Sequence, residues 1–491
     1  MNLLAAAVFA LADDFYVLSS GNDANDGRSP EKAWKTLAPA NAHQFKRGDN
    51  LYLEGGKTFA GPLKFDKDDV VVLLPTGEGR PVVDGGPGDA IVIDGCESAL
   101  VRKIDVVGAG RKEGNKQGVG IRVTGAKNVR IEDVGASGFQ WAGVEIRGSD
   151  GVTLSRIHAH GNGYAGICSE SPRSRNVRVT GCRAIDNPGD PTALKNHSGN
   201  GIALFDVEDA VIEYCEAAKN GWDMPRKGNG PVGIWCAIRS TRVTIQHCVS
   251  HHNQSPGSDG GGFDFDGGVT DSVMQYCYSY ENKGWGYLLY EYGSDSAFKN
   301  NVVRYCVSEN DGDAGIGVGE QATQGFSDCR VHNCVVYNDR GKPGVHFFEG
   351  TPKDFAFHNN LFVTKGAPQV KNASKARFVG NGYWSLGGGF SVDDTTDFEK
   401  WRKETGQETQ AGRLCGLNAD PMLRGPFEGK LTDPSKLRTL DAFRLKPDSP
   451  ARDRGENLGA LFGIDPGKQD FYGARLTGGP AFAMGVEETS R

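Results

Sequence analysis

The fold of this chain is decided by four six-residue stretches, which are CRAIDN at 182–187, CEAAKN at 215–220, CVSHHN at 248–253 and CYSYEN at 277–282. Each stretch begins with Cys and ends with Asn, and Cys306 and Cys334 continue the row with the Asn one residue closer. One repeat earlier, Ile157 stands in place of Cys, and Asn162 follows it after five residues. Because Ile can replace Cys, the position requires a compact apolar side chain and not a disulfide partner. The sequence therefore predicts a row of reduced cysteines in a repetitive core.

A second repeat consists of glycines that open short segments of the form Gly-apolar-x-apolar. These glycines are Gly143, Gly166, Gly201, Gly233, Gly262, Gly286, Gly315 and Gly344. Their average interval of about 29 residues fits three short strands and three turns, which is one coil of a parallel β-helix. The alternation of apolar residues changes phase just before each Cys, so we expect a tight turn there. Asn side chains stacked at another turn would bridge neighbouring coils.

The composition agrees with a turn-rich β protein. The chain has 491 residues, of which 70 are Gly, about twice ordinary usage. With 38% hydrophobic and 24% charged residues the chain is not disordered, and no apolar run reaches the roughly 18 residues that a membrane span needs. The net charge of −7 is spread without a basic block. We therefore expect no nucleic-acid partner and no membrane partner.

The predicted layout has four parts. Residues 1–12 are apolar, end in Ala-Leu-Ala and are typical of a signal peptide, so we expect a secreted or periplasmic protein. Residues 13–59 form an N-terminal capping segment with a short helix at 31–45, and residues 60–380 form the β-helix. Residues 381–491 form an irregular C-terminal capping segment, with a helix at 397–405. We expect a monomer.

The two ends of the chain resemble a known superfamily. Residues 16–27 (YVLSSGNDANDG), followed by AWKTL at 33–37, resemble the start of bacterial secreted right-handed parallel β-helix proteins of the pectin-lyase-like superfamily. SPARDRG at 449–455 and GVE at 485–487 resemble their C-terminus. The resemblance covers nearly the whole chain. It implies an all-β, right-handed parallel β-helix of three-stranded coils, secretion and carbohydrate-active chemistry, but fold alone does not decide function.

The strand after each anchor glycine decides which side chains face outwards. Side chains alternate between the two faces of a strand, so residues one and three positions after the glycine face inwards and residues two and four positions after it face outwards. The outward pairs are Ala203/Phe205, Trp235/Ala237, Asp264/Asp266, Leu288/Tyr290, Gly317/Gly319 and His346/Phe348. The next position carries Asp206, Glu291, Glu320 or Glu349. One coil thus presents two carboxylates with aromatic residues on both sides.

This set of carboxylates fits the hydrolysis of a glycosidic bond. Outward residues on one strand lie about 6.5 Å apart and neighbouring coils about 4.8 Å apart, which suits the roughly 5–9.5 Å between glycosidase carboxyl groups. Mutual repulsion separates their pKa values, so that one carboxyl stays protonated as an acid. We predict Asp264, Asp266 and Glu291 as catalytic residues. The predicted substrate-binding residues are Trp235, Tyr290, Glu320, His346, Phe348 and Glu349, and Gly317 with Gly319 would leave a gap for a sugar.

The arrangement also resembles the retaining glycosidases built on this fold, such as the β-xylosidase type. That resemblance implies that Asp264 or Asp266 is the nucleophile and that Glu291 is the acid/base. The motif sets of polygalacturonases and of alginate epimerases are missing from the sequence. The leading hypothesis is therefore an exported glycoside hydrolase that acts on a polysaccharide or its oligosaccharides.

Two other functions remain open at this point. Asp264 and Asp266 could be Ca²⁺ ligands in a polysaccharide lyase, in which Arg239 or another basic residue would abstract the proton. The chain could also be a solenoid that binds carbohydrate without catalysis. Asp264 and Asp266 would then belong to a solvated acidic face without a chemical role. His251-His252 lies in a turn and is either a solvated pair or part of the cleft. No motif for a nucleotide, NAD or zinc is present, so apart from Ca²⁺ no cofactor or metal is predicted.

Overall fold

Two parallel sheets build the structure from Asp14 to Ser385. The computed structural model describes residues 13–112, 117–228, 230–293, 297–321, 325–476 and 482–488, so the predicted signal peptide lies outside the described residues. Within these ranges one sheet has twelve strands and the other has twenty-six. Crossover connections between parallel strands of one sheet are almost always right-handed. The chain is a right-handed parallel β-helix, which confirms the predicted fold class.

The twelve-stranded sheet carries the candidate site and consists of strands β1–β12. They are β1 (Leu63–Asp66), β2 (Ile91–Asp94), β3 (Ile121–Thr124), β4 (Ala142–Arg147), β5 (Ala165–Glu170), β6 (Asn200–Phe205), β7 (Val232–Ala237), β8 (Gly261–Asp266), β9 (Tyr287–Glu291), β10 (Ile316–Glu320), β11 (Val345–Phe347) and β12 (Val370–Lys371). They stack in chain order, each paired with the next in parallel.

The larger sheet covers the other sides of the coils. Its strands are Asp14–Val17, Asn50–Glu54, Thr58–Ala60, Val71–Thr76, Val82–Gly86, Ala99–Arg102, Asp105–Gly108, Val129–Ser137, Thr153–His160, Ser174–Arg175, Arg178–Thr180, Arg183–Ile185, Val207–Glu213, Glu216–Ala218, Thr241–Gln246, Val249–His251, Val273–Gln275, Tyr278–Tyr280, Val302–Arg304, Val307–Glu309, Arg330–His332, Val335–Asn338, Ala356–His358, Leu361–Thr364, Arg377–Val379 and Gly382–Ser385. Two small pairs are Phe298–Lys299 with Phe326–Ser327 and Thr409–Gln410 with Arg413–Leu414.

A one-residue bend separates two strands of the larger sheet in the coils that carry the Cys row. The residue just before the Cys adopts the left-handed conformation, with φ of 53° at Tyr214, 52° at His247, 57° at Tyr276 and 48° at Tyr305. A single left-handed residue turns the chain sharply, so the side chains on either side of it change face. The predicted phase change before each Cys is confirmed.

The interior contains the two ladders that the repeat predicts. All eleven cysteines are unpaired and buried, and the Cys215 thiol donates to the Val179 carbonyl of the neighbouring coil (3.5 Å). The amide ladder runs through Asn162, Asn187, Asn220, Asn253 and Asn282, and each Nδ2 donates to the next side-chain oxygen at 2.8–3.0 Å. It ends on Asp311 and not on Asn310, because the distance of five residues from the Cys is kept.

The parallel ladder extends beyond the predicted limits of the β-helix at its N-terminal end. Asp14–Val17 pairs in parallel with Asn50–Glu54, although both strands precede residue 60. The predicted helix at 31–45 is wrong in length. The structure has a 3-10 turn at Pro30–Lys32 and α1 at Ala38–Ala42, because Trp34 between them forms a parallel bridge with Val17. The division of the chain into four parts stays a prediction.

The C-terminal segment packs along one side of the β-helix. It contains α2 (Phe398–Thr405), whose predicted position is confirmed and whose first turn is capped by the Asp397 carboxylate accepting from the Lys400 amide. It also contains α3 (Leu458–Phe462) and 3-10 turns at Pro434–Thr439 and Asp441–Phe443. Another 3-10 turn, Ala373–Lys375, precedes the segment. No helix in the described ranges is long and apolar enough to span a membrane.

Candidate active site

The outer face of β8 carries the two predicted aspartates. Phe263 and Phe265 belong to the interior core, so Asp264 and Asp266 between and after them point away from it. The register pairs Asp264 with Trp235 on β7 and with Leu288 on β9, and it pairs Asp266 with Tyr290. The alternation derived from the anchor glycine therefore places these side chains on one outer face.

Both aspartates are buried, although they face away from the core. Asp264 is 1% exposed and Asp266 is 4% exposed, and neither forms an ion pair within the described part of the chain. Oδ1 of Asp264 has no hydrogen-bond partner there, whereas Oδ1 of Asp266 accepts from the Gly267 amide (2.8 Å). Burial raises the pKa of both carboxyl groups well above the usual range, and the neighbouring carboxylates raise it further.

A third aspartate that the sequence analysis did not select belongs to this group. Asp259 lies in the loop before β8, accepts a hydrogen bond from the Gly230 amide and is close enough to raise the pKa of Asp264 and of Asp266. Burial, and then the charge of Asp313, raises the pKa of Asp259 itself to about 6. The signal for it was present in the sequence, since Asp259 directly precedes the three glycines that open β8.

Glu291 is next to the aspartates and is held by the backbone. Its Oε2 accepts from the Gly268 amide (3.0 Å) and its Oε1 accepts from the Gly293 amide (2.9 Å). It is fully buried and raises the pKa of Asp266. Asp259, Asp264, Asp266 and Glu291 are called the acidic cluster below.

Aromatic side chains lie beside the acidic cluster on its C-terminal side. Trp285 stacks on Phe348 with ring centroids 4.9 Å apart, and Tyr290 lies 5.5 Å from the same ring. His346 is 5.7 Å from Trp285, and Tyr290, His346 and Phe348 are all half-buried. We call Trp285, Tyr290, His346 and Phe348 the aromatic platform. Trp285 was not predicted, because it precedes its anchor glycine and lies outside the period of two.

The gap expected above two glycines does not exist. A Cβ on Gly317 would lie 2.5 Å from the ring of Trp285, and one on Gly319 would lie 2.4 Å from the ring of Phe348. The missing side chains therefore make room for the aromatic platform and not for a sugar.

Another aromatic group lies on the N-terminal side of the acidic cluster. Trp235 is 5% exposed, and its ring lies 5.0 Å from Phe205 and 4.7 Å from His197. His197 also approaches Tyr164 (5.4 Å), and burial lowers its pKa to about 4. Nε1 of Trp235 is a buried donor with no partner in the described structure. His197 comes from a long loop, so strand periodicity could not have found it.

The remaining predicted residues occupy the rim or another face. Glu320 accepts from the Phe326 amide (3.2 Å), and the exposed Glu349 accepts from the Tyr290 hydroxyl (2.9 Å). Arg239 approaches Asp206 (3.4 Å). His251 and His252 lie on the larger sheet's side, where His251 contacts Glu216 (3.2 Å) and His252 contacts Glu281 (2.9 Å).

A metal centre is the alternative use of buried carboxylates. Among the described residues no group of three or more His, Cys, Asp and Glu side chains has the arrangement to hold a metal ion. The two carboxylates that the Ca²⁺ hypothesis requires, Asp264 and Asp266, both lie on β8, so this strand is where a bound Ca²⁺ ion would have to be held.

The fold and this face define a class of protein, namely a right-handed parallel β-helix with a buried acidic cluster on the outer side of one sheet. Comparison with known families agrees. The family model described as "Right handed beta helix region" matches residues 83–216, 119–301 and 192–362, which together exceed half of the chain. The chain belongs to the right-handed beta helix family, as its two ends predicted.

Individual relatives are more distant. Alpha-1,3-galactosidase A of Akkermansia muciniphila is 32% identical over 116 residues, which are 23% of this chain and only 17% of that protein. The solved GH136 lacto-N-biosidase of Eubacterium ramulus superposes with a TM-score of 0.52 at 16% identity, covering 70% of this chain and 67% of the other. The pectate lyase Pel9A reaches a TM-score of 0.45 at 13% identity, with 98% and 97% covered. The structural likeness concerns the fold.

Proposed function

We propose that this protein is a carbohydrate-active enzyme that hydrolyses glycosidic bonds, with the acidic cluster as its catalytic centre. The observation that carries the proposal is the burial of Asp264 and Asp266 without an ion-pair partner in the described structure. Desolvating unpaired carboxyl groups costs folding free energy, and such perturbed groups concentrate at functional sites. The half-buried rings of the aromatic platform offer flat apolar surfaces for sugar rings.

The hydrogen bonds divide the roles within the pair. The Gly267 amide donates to Asp266 and so favours its ionised form, whereas Asp264 has an oxygen without a donor. When two neighbouring carboxyls share one proton, the proton therefore resides on Asp264. We assign Asp264 as the general acid that protonates the departing glycosidic oxygen. Asp266, as the carboxylate, attacks the anomeric carbon or deprotonates the water that attacks it.

Glu291 has a different role in this proposal from the one that the family resemblance implies. Two backbone amides, those of Gly268 and Gly293, hold its two oxygens in place. With both oxygens fixed in this way, Glu291 is a positioning residue in this proposal. Glu291 raises the pKa of Asp266. Its hydrogen bond from the Gly268 amide fixes the turn that follows β8.

The relatives support this proposal without deciding it. One protein that shares a sequence stretch is named as a galactosidase, and one that shares the fold at a TM-score of 0.52 is named as a lacto-N-biosidase; both names denote glycosidases. The substrate would be a polysaccharide or its oligosaccharides, and the site of action outside the cytoplasm, as residues 1–12 predict.

The first test measures product chemistry. Purified protein is incubated with a panel of poly- and oligosaccharides with and without chelator, and new reducing ends and unsaturated uronate absorbance are measured together. We expect reducing ends without unsaturation and without an effect of chelator. Unsaturated product that chelator abolishes would instead establish a Ca²⁺-dependent lyase. Saturable binding without any product would establish a binding solenoid.

The second test assigns the residues. Asp264→Asn and Asp266→Asn should each lower kcat by about 10²–10⁴-fold, the usual contribution of a catalytic acid, base or nucleophile. Asp94→Asn is the matched control, since Asp94 faces the same side of the same sheet on β2 but is exposed and far from the cluster. Full activity in both cluster variants would contradict the assignment.

A further inference from the structure

The outer face of the twelve-stranded sheet differs on the two sides of the acidic cluster. On the N-terminal side, Ala203, Phe205, Trp235 and Ala237 are all buried although they point away from the interior. On the C-terminal side, Tyr290, His346 and Phe348 are half-buried and Glu349 is exposed. A sugar chain that crosses the site can therefore continue over β9–β11, but it meets covered surface at β7.

Three long loops cover the N-terminal side. Their described residues are 186–199, 219–228 with 230–231, and 252–260, and together these residues are called the wall. His197 from the first loop rests on the outer face, with its ring near Tyr164 of the loop before β5, near Phe205 of β6 and near Trp235 of β7. A Cβ on Gly230 of the second loop would lie 2.6 Å from the Cβ of His197. The second loop thus presses His197 onto the sheet.

The wall is held together by close backbone contacts and by one arginine. A Cβ on Gly199 would lie 2.6 Å from the Cα of Gly221, and one on Gly257 would lie 3.0 Å from Gly228, so each loop packs on the next. Arg111 donates to the Gly189 carbonyl (2.6 Å) and pairs with Asp223, which joins the first two loops. The wall is therefore a packed structure and not a loose cover.

Two buried polar atoms without partners lie at the foot of the wall. Trp235 and Asp264 are register neighbours on β7 and β8, and both face outwards. Nε1 of Trp235 is a donor and Oδ1 of Asp264 is an acceptor or, when protonated, a donor; neither has a partner within the described residues. A buried polar group without a partner costs free energy that a ligand with hydroxyl groups would recover.

We propose that the enzyme binds one end of a neutral glycan, with the terminal sugar beside Asp264 at the edge of the wall and the rest of the chain over the aromatic platform. This inference rests on the proposed function and deepens it, since it makes the enzyme exo-acting. The terminal sugar is neutral because the acidic cluster repels a carboxylate or sulfate. A hydroxyl group of that sugar pairs with the orphaned Oδ1 of Asp264, and the wall prevents a chain from passing through the site.

The test uses neutral hexasaccharides of glucose, galactose, xylose or N-acetylglucosamine in three forms. One is free, one has its non-reducing end capped as a 4,6-O-benzylidene, or a 4-O-methyl ether for xylose, and one has its reducing end labelled with 2-aminobenzamide. Hydrolysis by the native protein and binding to Asp264→Asn are both measured. We expect that modifying one end of the hexasaccharide lowers both the hydrolysis rate and the affinity at least 100-fold, whereas modifying the other end leaves both unchanged. The free hexasaccharide should release products of one size from the first turnovers.

Two other outcomes would contradict either the exo-acting inference alone or the proposed function as well. If both modified forms are cleaved into mixed sizes, the enzyme is endo-acting, and the inference fails while the proposed function stands. If no hexasaccharide and no polysaccharide is cleaved or bound, the proposed function fails, and this inference fails with it.

A variant of the wall gives a second readout. His197→Ala removes the ring that seals the outer face, so internal cleavage products and at least a tenfold loss of end selectivity should appear. His160→Ala is the matched control, because it removes the same kind of ring from an exposed position on the larger sheet. Unchanged selectivity in a folded His197→Ala protein would contradict the role of the wall.

Discussion

Asp264 shows at the residue scale how the proposed chemistry is obtained at the expense of stability. Burial raises its pKa well above the usual value of 3.8, so the folded protein holds a proton that the unfolded chain has released. Each unit of such a shift corresponds to about 1.4 kcal/mol between the two protonation states. Between pH 3.8 and the raised pKa, the folded state binds more protons than the unfolded state. The free energy of unfolding must therefore fall as the pH rises through this window.

Asp264→Asn should accordingly be more stable than the native protein, and by an amount that grows with pH. The amide has nearly the same shape as the carboxyl but does not ionise, so the penalty disappears. We expect little difference in Tm at pH 4 and a rise of a few degrees at pH 7, measured by differential scanning calorimetry in both buffers. Asp94→Asn should show no such trend. A variant that is less stable at pH 7 would show that Asp264 is ionised and satisfied in the folded protein.

At the scale of elements, the amide ladder connects the coils that carry the site. Asn220 illustrates its connectivity, since its Oδ1 accepts from both the Nδ2 and the backbone amide of Asn187. Its own Nδ2 donates to Asn253 and to the Ala184 carbonyl. A buried amide that bridges three coils in this way leaves several groups unpaired when it is removed.

Asn220→Ala should lower the free energy of unfolding by roughly 2–4 kcal/mol, since each buried group left unpaired costs about 1–3 kcal/mol. Denaturant unfolding monitored by far-UV circular dichroism measures this loss. Asn41→Ala is the comparison, because the Asn41 amide also bonds another segment, through the Pro62 carbonyl, but lies at the surface. Equal losses in the two variants would show that the ladder contributes no more than a surface bond.

The sequence predicted those parts of the site that follow a period. Cys and Asn spacing predicted the ladders, and alternation along β8 predicted that Asp264 and Asp266 share a face. Asp259 and His197 were missed because they come from loops, whose path has no period and depends on packing against other loops. The period also cannot reveal what lies above a face. For that reason Gly317 and Gly319 suggested a gap that the ring of Trp285 and that of Phe348 fill.

At the scale of the whole molecule, the eleven cysteines are stabilising as apolar side chains and not as cross-links. All are buried and unpaired. We expect a reducing agent to leave Tm unchanged, because no disulfide constrains the unfolded chain. In the folded protein, Ellman's reagent should find fewer than one reactive thiol, and in guanidinium chloride it should find eleven. Two or more fast-reacting thiols in the folded state would contradict the closed interior.

The C-terminal segment gives the molecule a property that coil stacking alone cannot. In a solenoid each coil contacts only its neighbours, so stiffness along the axis depends on one interface at a time. Here the returning segment bonds to several coils of the same stretch, through Tyr276 with the Gln469 carbonyl, Arg304 with the Asp465 carbonyl and Asn359 with the Glu456 carbonyl. The segment therefore connects the coils of β8–β11 to one another from outside the sheets. Under tension those coils share the load, so the distance between the acidic cluster and the aromatic platform stays fixed while the N-terminal coils are free to yield one by one.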